Sequence, residues 1–136
     1  MYERKVQRGD IYFAKLGKTK GSVQGKSRPV VVLQNNIGNK HSPTLIVATI
    51  TSKTRKKRNL PTHVLFRVDK LPRRSVVQLE QITTIDKKQL VRFICTMPKE
   101  TMQKIDDATK TSLHLLPQRY IIIERNDKEW KLSLKP

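Results

Sequence analysis

Residues 21–35 read GSVQGKSRPVVVLQN, a stretch in which a loop of glycine, serine, glutamine and lysine runs without a break into an apolar, β-branched segment opened by Arg28-Pro29. Three consecutive valines favour an extended backbone, because branching at Cβ restricts χ1 in a helix and packs well on a pleated surface. Arg28 is therefore expected at the mouth of a strand, where a rigid sheet aims its guanidinium better than a loop would. The guanidinium offers a planar fork of donors that matches a phosphoryl group. The plainer role for such a residue is a surface arginine paired with a carboxylate.

The same composition recurs on both sides of this stretch. Gly9 to Leu16 (GDIYFAKL), Arg28 to Gln34 (RPVVVLQ), Thr44 to Thr51 (TLIVATIT), Thr62 to Phe66 (THVLF) and Ser75 to Ile85 (SVVQLEQITTI) are rich in β-branched and aromatic residues and bounded by turn formers. A sixth strand is expected at Val91 to Thr96. Gly17, Gly21 and Gly25, then Asn35-Asn36-Ile37-Gly38-Asn39, then Leu60-Pro61 punctuate the connections as turns. Short strands at this spacing predict a small antiparallel β-barrel.

Over Lys99 to Leu116 the apolar period changes, placing Met102, Ile105, Thr109, Ser112, Leu113 and Leu116 along one helical side, with Pro98 and Pro117 at the two ends. One amphipathic helix packed on the sheet is expected. Beyond it, Tyr120 to Glu124 and Trp130 to Leu134 flank a turn-like Arg125-Asn126-Asp127-Lys128 and predict a hairpin. The division is thus a single mainly β domain with a C-terminal helix over 1–117 and a hairpin extension over 118–136.

Twenty-nine lysines and arginines against eleven acidic residues give a formal charge of +18, which favours a polyanionic partner. Residues 1–75 hold 18 basic and 3 acidic side chains, whereas 76–136 hold 11 and 8, so the anion-binding face is expected from the first half. A membrane surface is disfavoured, because the basic half reads as strands and loops and not as an amphipathic helix. No apolar run has the length of a membrane span, and the charged first ten residues lack the apolar core of a secretory signal. With Cys95 as the only cysteine, the expected location is the cytoplasm.

Thr51 closes an apolar strand, and its hydroxyl would meet Arg28 if the two strands are neighbours; a strand-terminal threonine is otherwise a β-former or a turn cap. The run Lys53-Thr54-Arg55-Lys56-Lys57-Arg58 follows directly and suits salt-sensitive contact with a sugar-phosphate backbone, or is a solvated loop. His41, His63 and His114 have no zinc-site spacing, and Cys95 stands alone, so no metal site is expected. Asp106-Asp107, between Lys104 and Lys110, suits surface ion pairing better than a two-metal centre. No glycine-rich phosphate loop or serine-nucleophile elbow is present.

RGDIYFA (8–14), GSVQGKSRPVVVLQN (21–35), IGN with SPTLIVATIT (37–51), LPTHV (60–64) and LEQITTID (79–86), in that order, resemble the MazF/PemK-like toxins of the Kid/CcdB superfamily. The resemblance runs from about Arg8 to Leu116. It implies an SH3-like barrel with a C-terminal helix and a homodimer. It also implies a toxin that cuts single-stranded RNA or mRNA in a sequence-specific way, without metal or cofactor, leaving 2′,3′-cyclic phosphate and 5′-hydroxyl ends. An acidic MazE-like antitoxin would block the RNA groove.

By the resemblance Arg28 falls on the catalytic arginine, Thr51 on the catalytic threonine, and Ser22 and Gln24 on the loop that binds RNA. Lys20 and Lys26, together with Lys53, Arg55, Lys56, Lys57 and Arg58, would then clamp the strand between two basic arms. Where many relatives have Gly-Ser-Glu-Gln, this chain has Gly21-Ser22-Val23-Gln24, which removes an acidic residue from the loop. Two other readings compete. One is a gyrase-poisoning toxin of the same architecture, which needs no Arg/Thr pair; the other is a nucleic-acid-binding module without chemistry.

Overall fold

The computed structural model describes residues 4–17, 26–52 and 60–115, and the backbone of 120–125 and 130–134. The expected site residues Lys20, Ser22, Gln24, Lys53, Arg55, Lys56, Lys57 and Arg58, and the substituted loop position Val23, lie outside the described residues.

The chain runs β1 (Asp10–Lys15), β2 (Ser27–Val32), α1 (Asn36–His41), β3 (Thr44–Thr51), β4 (His63–Phe66), β5 (Ser75–Asp86), a 3₁₀ turn (Lys87–Gln89), β6 (Leu90–Thr96) and α2 (Lys99–Ser112). β1 to β6 form one sheet in the order β4-β5-β3-β2-β1-β6, with every pairing antiparallel. β7 (Tyr120–Arg125) and β8 (Trp130–Leu134) pair antiparallel in a second, two-stranded sheet.

The mainly β architecture with a C-terminal helix is the one expected, but the sheet is open where a closed barrel was predicted. β4 pairs only with β5 and β6 only with β1, so both remain edges. Helix α2 supplies what strand closure would have supplied. Its Ile105 and Ala108 join one apolar cluster with Val64 and Phe66 of β4 and Ile94 of β6, so the two edges share a core without pairing. Ser112 Oγ donates to the Leu79 carbonyl at 2.7 Å and ties the end of α2 to β5.

The helix stops at Ser112, four residues earlier than its apolar stripe suggests, because Leu113 caps it and His114 takes a left-handed φ of 59°. Leu113 is consequently exposed and not part of the packed face. Where a plain turn was expected after β2, Asn35 caps α1 by accepting from the Gly38 N–H at 2.8 Å. Asn39 is buried and bonds the Gln34 carbonyl at 2.8 Å, so this asparagine-rich segment satisfies its own polar groups.

Both faces of the sheet are apolar through the middle. Ile11, Val31, Ala48, Ile50, Val77 and Leu79 face α2, whereas Tyr12, Ala14, Val30, Val32, Leu45, Val47 and Ile85 form a second cluster. The central valines of β2 are buried in succession because alternate side chains enter different cores. The turn before β1 needs Gly9, whose φ is +93° and whose added Cβ would meet the Met102 side chain at 3.6 Å.

The four-residue edge strand β4 is held to β5 by side-chain hydrogen bonds. His63 Nε2 lies 2.8 Å from Glu80 Oε2, and Thr62 Oγ1 donates to Glu80 Oε1 at 3.1 Å. Partial burial pushes the Glu80 carboxyl up, but the hydrogen bond from His63, its own backbone hydrogen bond, the His63 charge and Thr62 together hold it below its ordinary value of 4.5. A carboxyl that is more acidic when folded stabilises the protein fully above its unfolded value, and the contribution is lost as pH falls through the lowered one.

Two outcomes are expected. Ile105→Ala, at a fully buried position between helix and sheet, should cost about 2–5 kcal/mol in urea unfolding, with the m-value unchanged. Glu80→Gln should lower Tm at pH 6, and the gap to the wild type should close on acidification below pH 4.5. A gap that stays constant down to pH 3 in a thermal-melt series would exclude this role for the carboxylate.

Candidate active site

β2 and β3 are neighbours, with Val30 opposite Thr49, Val31 opposite Ala48 and Val32 opposite Val47. Continued by two residues, this antiparallel register sets Arg28 across from Thr51. Directly opposed residues project from the same face, and side chains alternate along each strand. Arg28 therefore shares a face with Val30 and Val32, and Thr51 shares it with Thr49, Val47 and Leu45. That face is apolar at one end of the strands and polar at the other.

The two side chains differ in exposure. Arg28 is exposed, whereas Thr51, the last residue of β3, is 8% exposed and paired on its other side with Val76 of β5. An exposed cation and a buried hydroxyl at one end of one sheet face are a combination that can bind and then orient a phosphoryl group. Lys26 is exposed one residue before β2, and its carbonyl accepts from the Leu16 N–H at 3.2 Å, which ties the chain just before β2 to the chain just after β1.

Next to the Arg28/Thr51 pair lies a polar pair that the sequence reading did not single out. Thr49 Oγ1 donates to Gln78 Oε1 at 3.1 Å, and both side chains are buried. Gln78 in turn sits opposite His63 on β4, so Thr49, Gln78 and His63 form one row across the sheet. The available signal was the interruption of an apolar strand by one amide in SVVQL. Its partner is 29 residues away, beyond the reach of local pattern.

Other chemically capable groups lie elsewhere. Asp106 pairs with Arg8 and not with the helix lysines beside it; the same Arg8 donates through Nε to the Leu33 carbonyl at 2.8 Å, so the pair links the N-terminal segment to α2. His63 is committed to Glu80. Cys95 is half-buried, and burial pushes its thiol up against the opposing charge of Lys70, which keeps it protonated and weakly nucleophilic at neutral pH. Among the described residues no three of His, Cys, Asp and Glu lie close enough together to hold a metal ion, and no helix is long and apolar enough to cross a membrane.

Residues 7–113 match the family described as PemK-like, MazF-like toxin of type II toxin-antitoxin system. Over 113 residues the chain is 50% identical to the endoribonuclease EndoA of Bacillus subtilis (strain 168), covering 82% of this chain and 97% of that protein. Among solved structures, an endoribonuclease in complex with its cognate antitoxin from a mycobacterial species superposes with a TM-score of 0.69 at 26% identity, covering 82% of this chain and 97% of the other. The MazE–MazF complex (Form-II) of Deinococcus radiodurans gives the same TM-score at 16% identity over 84% of this chain and 100% of the other, a likeness of fold. Matched over residues 7–113, the chain belongs to the PemK-like, MazF-like toxin family of type II toxin–antitoxin systems.

Proposed function

We propose that this chain is an endoribonuclease that cuts single-stranded RNA, and that Arg28 and Thr51 are its catalytic residues. The observation that carries this reading is the β2/β3 register, which brings an arginine and a threonine from separate motifs to one end of one sheet face. The 50% identity to a protein named as an endoribonuclease supports the same activity. A gyrase poison would need no such pair, so the arrangement favours the nuclease.

The nucleophile in this mechanism belongs to the substrate. A ribose 2′-hydroxyl attacks the adjacent phosphorus, the bond to the 5′-oxygen breaks, and the products are a 2′,3′-cyclic phosphate and a 5′-hydroxyl. The proton given up by the 2′-oxygen is balanced by the one gained at the leaving 5′-oxygen. The phosphoryl oxygens gain charge on the way, and Arg28 and Thr51 stabilise them as donors already held in place by the sheet. Arginine is a poor general base because a guanidinium keeps its proton in proteins, so stabilisation of charge is its first role. No step requires a metal or a cofactor.

Ser22 and Gln24 would order the RNA, and Lys20, Lys26 and the Lys53–Arg58 run would hold its backbone. An acidic antitoxin segment suits a chain of charge +18, and related toxins are known in complexes with an antitoxin. The working form is a cytoplasmic homodimer, with the 118–136 hairpin as an appendage to the family domain.

Incubation with a long, weakly structured RNA in EDTA tests the reading. Discrete fragments with 5′-hydroxyl ends are expected, and Arg28→Ala should slow their appearance by about 10²–10³-fold, the usual effect of losing one preorganised donor. Equal rates for the two proteins would remove Arg28 from the mechanism, and cleavage only after added divalent metal would remove the metal-free chemistry.

A further inference from the structure

The turn between β4 and β5 is strongly basic and has no part in the site described above. Residues 67–74 read RVDKLPRR, with four cations against Asp69. Arg67, Arg73 and Arg74 are exposed, and among the described residues none of them is in an ion pair.

The position of these arginines follows from the ladders. Phe66 pairs with Ser75, so Arg67 and Arg74 flank the ends of β4 and β5, and Val76, two residues from Arg74, pairs with Thr51. Two residues along a strand and one strand across place the Arg74 backbone within roughly 10 Å of that of Thr51. The turn is also built to hold its shape. Leu71 is buried in the core under α2, the Leu71 N–H donates to the Val68 carbonyl at 3.2 Å, and Ser75 Oγ donates to the Arg73 carbonyl at 2.9 Å. The buried Leu71 draws the middle of the turn over the α2 face, and there the charge of Lys70 acts on Cys95. The arginines at the two feet of the turn are left at the end of the sheet that carries Arg28 and Thr51.

We propose that Arg67, Arg73 and Arg74 form a phosphate-binding arm that holds the RNA backbone beside the site of cleavage. The proposal rests on the endoribonuclease reading. Three unpaired guanidiniums on a fixed turn are suited to an extended polyanion, since each can hold a phosphate by paired hydrogen bonds and release its condensed counterions. A turn anchored by a buried leucine spends less ordering entropy on binding than a free loop of the same charge.

The test measures the salt dependence of RNA affinity. A fluorescent single-stranded oligonucleotide with methylated 2′-hydroxyls, which this chemistry cannot cut, is titrated with protein by anisotropy over a series of KCl concentrations. The combined Arg67→Gln, Arg73→Gln, Arg74→Gln variant should lower the slope of log affinity against log salt by about 2, at about 0.7 per lost phosphate contact. Arg74→Gln alone should lower it by about 0.7. Removal of the same charge from α2, as Lys99→Gln, Lys104→Gln, Lys110→Gln, should leave the slope unchanged.

A turn variant with the wild-type slope overturns the arm while leaving the nuclease reading intact, provided the wild type still cuts unmodified RNA. Equal losses in the turn and α2 variants also overturn it, because they report net charge alone. A turn variant that keeps its RNA slope but loses affinity for polyglutamate assigns the surface to an acidic protein segment instead. A wild type that neither binds nor cuts RNA removes both the nuclease reading and the arm.

Discussion

The antiparallel register of β2 on β3 is the constraint on which the rest of this molecule depends. It buries Val30, Val31 and Val32 in two cores at once, and by the same alternation it decides what emerges at the end of each strand. A slip of one residue would turn Thr51 to the opposite face from Arg28 and would bring Thr49 into the core under α2. The apolar cost of such a slip is what secures the polar end of the face. The placement of Arg28 and Thr51 is in this sense a by-product of core packing, and the candidate site gains rigidity from strands it does not itself stabilise.

The open edges are managed by different means. β4 is short, carries a His63–Glu80 hydrogen bond, and shares its core with α2. β6 is fixed at one end by the β1 segment, where buried Asp10 accepts from the Gln7 N–H at 2.9 Å and pairs with Arg4, whose guanidinium also stacks on Phe93 at 3.8 Å. A buried carboxylate is tolerable only with such partners. Arg8 adds a tie from the N-terminal segment to both Leu33 and Asp106, so Arg8, Gly9 and Asp10 serve in turn as a cross-link, a left-handed turn and a buried acceptor.

Charge and fold are therefore nearly independent in this chain. The cores are closed by β-branched and aliphatic residues, and many of the described cations, such as Lys15, Lys26, Arg28, Arg67, Arg73 and Arg74, sit at strand ends and in the connections between strands, where they cost little stability and raise the local field. Repulsion among them is relieved where a counter-charge is built in, as at Asp10, Glu80 and Asp106. Among the described residues, Arg67, Arg73 and Arg74 have no such ion pair.

Strand identity was legible from residues alone because period-two patterns and β-branched runs carry it locally, and all six strands of the main sheet stand within two residues of where TLIVATIT, RPVVVLQ and their neighbours predict them. Arg28 and Thr51 were legible as candidates from motif, and the short helix α1 was not, since an Asn35 cap and an ordinary turn look alike in sequence. Which strands become neighbours, whether the sheet closes, and that Gln78 finds Thr49 were decided only in three dimensions. Each depends on partners tens of residues apart, selected by how two cores fill at once, and no local pattern in the chain encodes that choice.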